Sequence, residues 1–253
     1  MLDMPKKTTI EQDRIDLAAA FRLAYHFDFH EGICNHFSVK VDAKVDNKVD
    51  GDDERYLINA YGVHWSQMTP EKLLLIDGNG NVLEGEGEVE ESARNVHIYS
   101  HRANPRHKAI LHTHMPYATA LTMVEGGKLE MAHQTACRYF GRVGYDRNFS
   151  GLVHSQDEGE RIASATKNDQ HIDVMFLANH GVVVSGASVA KAFDDLYYLE
   201  RACRQQVLAM STGRPLKLIP DEVVETTAQQ IDSHVDYFSE QHFNELKNVF
   251  VKF

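Results

Sequence analysis

The sequence predicts an α/β fold built on a mixed sheet, and three observations carry that expectation. Short apolar runs bounded by turn-forming residues recur along the chain: Arg55 to Ile58, Leu74 to Ile76, Ala109 to His114, Asp173 to Ala178 and Val182 to Val184. Between them lie stretches whose apolar residues return at helical spacing. Chain length, at 253 residues, is enough for a full buried core.

Taken in order, Thr8-Thr9-Ile10-Glu11 has the spacing of a capping box, and Ile10, Leu17, Phe21, Leu23, Ala24 and Phe27 extend a first helix to about His30, with Gly32 as its stop. A strand follows in which Phe37, Val39 and Val41 alternate with Ser38 and Lys40, so Asn35 and His36 sit at a strand mouth as turn-formers or ligand-formers. Asp42 to Glu54 is rich in Asp, Asn and Lys and reads as an exposed hairpin loop. After the strand at Arg55, the turn Asn59-Ala60-Tyr61-Gly62 could offer backbone N–H groups to a ligand. Thr69 and Pro70 are the cap and first position of a one-turn helix. Leu74 to Ile76 and Val82-Leu83 form a hairpin around Asp77-Gly78-Asn79-Gly80.

A helix is expected from Ser92 to Ala103, ended by Asn104-Pro105, with Glu90 and Glu91 complementing its N-terminal dipole. Further helices are expected over Met115 to Thr122, over Met131 to Phe140, and from a second capping box at Ser155 through Ala165. Ala192, Leu196, Leu199, Cys203 and Val207 mark Ser188 to Met210 as a long core helix. The tail from Asp221 to Phe253 carries a polar helical pattern, and no internal repeat suggests a second domain.

Composition narrows the function classes. Lys+Arg 26 against Asp+Glu 37 gives a net charge of −11, which argues against a nucleic-acid surface and against a polybasic membrane patch. The expected partner is a small molecule or a protein. No apolar run approaches the roughly 18 residues of a membrane span, and Met1 to Asp16 has no uninterrupted apolar stretch, so the expected compartment is the cytoplasm. Cys34, Cys137 and Cys203 are odd in number and lack CxxC spacing, which suggests neither disulfides nor a thiolate metal site.

The chemistry-bearing stretch is Ala109-Ile110-Leu111-His112-Thr113-His114-Met115-Pro116. On a strand, side chains alternate between faces, so His112 and His114 project to the same side. Such a pair makes two corners of a metal site, because zinc takes neutral imidazole nitrogens at about 2.0–2.1 Å; the alternative is a polar strand end in a chain with 15 histidines. His180, between Asn179 and Gly181 at the end of an apolar strand, is placed either as a third ligand or as a turn residue.

Together, Cys34-Asn35-His36-Phe37-Ser38, His112-Thr113-His114-Met115-Pro116, Leu177-Ala178-Asn179-His180-Gly181-Val182-Val183 and the long helix after them resemble the class II aldolase/adducin family. Tyr139-Phe140-Gly141-Arg142-Val143 and Gly186 to Phe193 resemble its adducin-head branch. The resemblance implies a single-domain three-layer α/β/α sandwich with a central mixed, largely antiparallel sheet. The resemblance covers roughly residues 10 to 215; the domain is expected to span residues 8–215, with 216–253 a helical extension of the same domain. It implies a homotetramer with sites between subunits. It also implies that His112, His114 and His180 hold a divalent metal, usually zinc, leaving an open coordination position for catalysis. In family enzymes that metal stabilises the enediolate formed from a small sugar-like substrate.

Departures from the family pattern shape the functional expectation. Ala93 stands where the aldolases carry their acid/base carboxylate, and Glu91 and Ser92 stand where they carry a phosphate-binding serine pair. Asn35 and Gly62 match positions that help hold the phosphate end, but Glu91 would repel a phosphate dianion by about 1–4 kcal/mol at a few ångströms. The expected function is therefore a metal-dependent lyase, of aldolase or decarboxylase type, for a small unphosphorylated hydroxy-carbonyl or hydroxy-acid compound. Asn35, Gly62 and Ser92 would bind substrate. Proton transfer would fall to Glu91 or its neighbour Glu90, to His133, or to Tyr237 reaching a neighbouring subunit. The alternative is an adducin-head-like binding domain that keeps the metal and has lost the chemistry; the short C-terminal segment, of mixed charge, favours the enzyme.

Overall fold

The computed structural model describes residues 10–41, 54–153 and 155–253. The capping residues Thr8 and Thr9, and residues 42–53 of the polar loop, lie outside the described residues. Eight described strands form one sheet: β1 (His36–Val41), β2 (Arg55–Asn59), β3 (Leu73–Asp77), β4 (Val82–Glu84), β5 (Ala109–Thr113), β6 (Val143–Asp146), β7 (Val174–Leu177) and β8 (Gly181–Gly186). They lie in the order β4-β3-β2-β1-β5-β8-β7-β6, with β6 and β7 parallel and the other neighbours antiparallel. The sheet is mixed and largely antiparallel, as expected.

Period-two alternation sorts the sheet's side chains into two layers of core. Phe37, Val39, Leu57, Leu75, Ala109, Leu111, Phe176 and Val184 face the larger core, which is completed by α1 (Ile10–His26), α3 (Pro116–Thr122), α6 (Val189–Met210) and α8 (Val235–Phe250). Phe21 of α1 stacks on Phe37 at 4.7 Å and meets the edge of Trp65 at 4.8 Å. On the opposite face Ile58, Leu74, Ile76, Ile110, Met175 and Val183 pack against α2 (Glu91–Ala103) and α5 (Gln156–Asn168). The result is an α/β/α sandwich. His36, Ser38 and His112 alternate with the first set, so they lie on the α2 side of the sheet.

The tail forms α7 (Asp221–Asp232) and α8, whose Phe243 meets Phe193 of α6 at 5.6 Å. Arg142 and Lys191, from the motifs at 139–143 and 186–193, join Arg138 and Asp195 in a buried ionic cluster. Asp195, fully buried, accepts from Arg138 Nε at 2.7 Å and Arg142 Nη2 at 2.7 Å and also pairs with Lys191. Burial opposes ionisation of Asp195, but the Lys191, Arg142 and Arg138 charges outweigh it and hold the carboxyl below its ordinary range. At Gly186 a Cβ would sit 2.8 Å from the Ala192 nitrogen, so glycine is what lets β8 approach α6.

Two sequence expectations are corrected. Helix α1 ends at His26 and not near His30, because Asp28 takes a left-handed conformation (φ 61). Phe29 N then donates to Ala24 O at 2.8 Å and Asp28 N to Tyr25 O at 3.2 Å, a Schellman closure four residues before the expected glycine. The helix expected over Met131 to Phe140 shrinks to one turn, α4 (Gln134–Cys137), because His133 is extended and its Nδ1 accepts the Thr135 amide at 3.2 Å. Strand β6 lies in a stretch to which the sequence pattern assigns no element; its four residues pair in parallel with β7.

Candidate metal centre

The sheet places the two histidines of β5 where the alternation expects them. His112 is the last but one residue of β5, buried beside β8, and its Nδ1 donates to the Val182 carbonyl at 3.0 Å. His114 follows one residue past the strand end. His180 occupies the tight β7–β8 turn, preceded by Asn179 in a left-handed conformation (φ 55). Gly181 next to it is required by contact: a Cβ there would lie 2.5 Å from the Thr113 carbonyl and 2.7 Å from His114 Cδ2.

Ring centroids of the three histidines are 4.8 to 5.1 Å apart, and one nitrogen from each lies within 4.8 Å of the others. Three features fit this donor set to a cation. Burial, reinforced by the neighbouring imidazoles, lowers the pKa of His112 well below its ordinary value and that of His180 to about 4, so these rings are neutral, as ligation requires. The carbonyl of Val182 can only accept, so His112 Nδ1 carries the proton and Nε2 the lone pair. At His114 the carboxylate of Glu31 accepts from Nδ1, and Nε2 is buried with no hydrogen-bond partner. A buried imidazole nitrogen with a lone pair and no partner is what a ligand position looks like before an ion is counted.

The three histidines open into a cavity of about 420 Å³ lined also by Glu31, His36, Ser92, Pro116, Thr119, Phe149 and Leu152. Glu31 is the only carboxylate among the described residues lining it, and no lysine or arginine lines it among those residues. Ser92 Oγ donates to Glu90, whose carboxylate also accepts the Ala93 amide at 2.9 Å as the cap of α2. Burial works against the Glu90 charge, but these hydrogen bonds hold its pKa below the ordinary value.

Of the residues expected to act, Ser92 and the three histidines come together. Asn35, at φ 73 and with Oδ1 buried and unpartnered, adjoins the cavity wall at His36, and Gly62, at φ 83, lies in the β2 turn; neither lines the cavity. Glu91 points into a separate groove lined by Gly78, Arg94 and Arg102, with Arg94 at 3.8 Å. His133 caps α4 and Tyr237 is 56% exposed on α8. None of these three reaches the cavity within one chain. The sequence reading missed Glu31, whose signal would have been a carboxylate in the turn before β1, and the histidines His97 and His101, one helical turn apart on α2.

Comparison with known proteins agrees with this architecture. Residues 15–207 match the family model described as "Class II Aldolase and Adducin N-terminal domain". The chain belongs to the class II aldolase/adducin family. It is 33% identical over 183 residues to the decarboxylase NovR of Streptomyces niveus, covering 72% of this chain and 66% of that protein. It is 32% identical over 208 residues to an adducin-related protein of Schizosaccharomyces pombe, covering 79% and 60%. The matched region thus spans somewhat less than two thirds of either relative. Among solved structures, an aldolase II superfamily protein of Pseudomonas syringae superposes with TM-score 0.82 at 29% identity over 96% of this chain and 95% of that one. An L-fuculose 1-phosphate aldolase from Glaciozyma antarctica superposes at 0.80 and 22% identity over 99% and 97%, a likeness of fold.

Proposed function

We propose that the chain is a divalent-metal-dependent carbon–carbon lyase for a small, unphosphorylated hydroxy-acid or hydroxy-carbonyl compound. The observation that carries this reading is the convergence of His112, His114 and His180 on one end of a cavity, with His114 Nε2 buried and unpaired. Those three imidazoles would hold the ion, with zinc the fitting choice for an all-nitrogen set. Bound there, it would supply Lewis-acid stabilisation of negative charge growing on substrate oxygens.

The remaining chemistry belongs to the chain. Phe149 and Leu152 give the cavity mouth an apolar wall, and Ser92 and His36 offer polar contacts to a substrate hydroxyl. The unphosphorylated substrate finds support in the lack of lysine or arginine among the described lining residues. Glu91 does not supply that argument, because it faces the other groove. Decarboxylation is the reaction the lining favours over aldol cleavage. Loss of CO₂ leaves its bonding pair on the adjacent carbon, delocalised toward a carbonyl oxygen, and needs no base at the outset; Ala93, buried on α2, could not provide one. A proton must then return to that carbon, and His133 or Tyr237 would do so only if a neighbouring copy delivered it. Exposed Tyr237, Phe238 and Val223 on the C-terminal helices support self-association, and a homotetramer is the assembly we propose. Three unbridged cysteines are consistent with a reducing, cytoplasmic setting, and no helix among the described residues is long and apolar enough to cross a membrane.

The test is a panel of hydroxy-acids and hydroxy-ketones, with and without phosphate, assayed for CO₂ release and for retro-aldol aldehyde. The proposal expects metal-dependent turnover of an unphosphorylated acid, abolished by chelation. Tight ligand binding without turnover across the panel would instead favour an adducin-like binding role.

A further inference from the structure

We propose that Glu31 is the positioning residue for the metal ligand His114, an inference that rests on the three histidines holding a metal. Glu31 sits in the short turn before β1, where Cys34 N donates to Glu31 O at 2.9 Å, Gly32 has φ 61 and Asn35 has φ 73. That turn is anchored to the site from its other side, because the next residue, His36, pairs directly with His112 across β1 and β5. The Glu31 backbone is thus held by the same strand pair that places the ligands, and its side chain reaches His114 Nδ1.

The chemistry of that contact has one outcome. An ionised carboxylate only accepts, so Nδ1 must carry the imidazole proton and Nε2 must carry the lone pair. Nε2 is the nitrogen that is buried and unpaired. His112 has its tautomer set by the neutral Val182 carbonyl, whereas His114 has an anion behind it. A carboxylate in that place raises ligand basicity, offsets part of the charge of a dication, and fixes the ring plane. His114 needs this more than His112, because it lies beyond the end of β5 and lacks the ladder bonds that hold His112. The Glu31 side chain is 63% exposed, so its replacement by an isostere leaves the core intact.

The experiment compares the full-length chain with Glu31→Gln and with the His112→Ala/His114→Ala pair, each stripped of metal and titrated with Co²⁺. Visible absorption bands of the bound ion report affinity and ligand geometry, and circular dichroism and thermal melting of the metal-free proteins report folding. Glu31→Gln is expected to weaken Co²⁺ binding by about 10–100-fold and to alter the visible bands, with the metal-free melting point unchanged. Unchanged affinity and unchanged bands would overturn the proposal. Unchanged affinity with lost turnover would overturn it as well, making Glu31 a proton carrier. If the unsubstituted chain binds no Co²⁺, the metal reading itself fails, a result that the variant comparison alone would not produce.

Discussion

His36 Nδ1 lies 2.8 Å from His97 Nε2, and the direction of that hydrogen bond is dictated by residues further from the cavity. His101 Nδ1 faces the His107 carbonyl at 3.0 Å and must donate, so His101 Nε2 accepts the Ser38 hydroxyl at 2.8 Å. Ser38 has spent its one proton, so His97 Nδ1 donates to Ser38 and His97 Nε2 accepts from His36. A 3.1 Å approach of His97 Nε2 to the His36 carbonyl would need the opposite tautomer, which Ser38 forbids. All protons in the chain therefore point away from the cavity, and His36 Nε2 is left as an acceptor. Ser38→Ala breaks this chain in its middle and strands two buried imidazole nitrogens. The expected loss is about 1–3 kcal/mol of stability, read as a lower urea midpoint with unchanged slope. A change under about 0.5 kcal/mol would contradict the assignment.

The same histidines predict acid sensitivity. Burial, with the neighbouring imidazole next in importance at His97, lowers His97 and His101 to about 3 from an unfolded value of 6.5. Between those limits the unfolded chain binds more protons than the native one, so stability is lost as pH falls from 6.5 toward 3. Replacing both by asparagine should flatten that limb of the stability–pH curve; a curve parallel to that of the unsubstituted chain would count against buried neutral imidazoles.

Glu200 predicts the opposite slope. Its carboxyl, 6% exposed, accepts the Tyr117 amide at 2.8 Å and the Ala118 amide at 2.9 Å, and so caps α3, which has no side-chain cap of its own. Burial outweighs those two bonds and raises its pKa from 4.5 to about 7. Here the native state binds the extra proton, so stability falls as pH rises through that window, by an amount on the order of 3 kcal/mol. Glu200→Gln, compared with the unsubstituted chain at each pH, should remove this component while the histidine contribution cancels. A difference in stability that is constant from pH 4.5 to 7 would contradict it.

Gly181→Ala tests the packing of the site without replacing a ligand. The new methyl group would overlap the Thr113 carbonyl and the His114 ring, so the expected effect is a fall in metal affinity of tenfold or more with the fold retained. Affinity equal to that of the unsubstituted chain would mean that the turn yields freely.

Much of the architecture was legible because it rests on local pattern. The alternation at 37–41, the hairpin around Asp77 to Gly80 and the spacing of α6 each reflect residues close in sequence. His112 and His114 were legible for the same reason, and His180 because it stands beside a glycine at a strand end. Glu31 with His114, His36 with His97 and Ser38 with His97 are separated by 83, 61 and 59 residues, and only the strand order brings them together. Glu91 lies beside the other groove because the phase of α2 is set by its buried face, with Ala93, Val96 and His97 turned inward, and that face is completed only in the folded chain. Strand β6 escaped because Val143-Gly144-Tyr145-Asp146 has no pattern of its own, and its glycine lies where a Cβ would come within 2.4 Å of the Met175 sulfur.

The most direct test of the account is the metal content of chain purified without chelator, beside that of the His112→Ala/His114→Ala variant. One zinc or similar divalent ion per chain, lost in the variant, is the predicted result. Equal occupancy in both, or a folded unsubstituted chain that neither retains nor takes up a divalent ion, would contradict it.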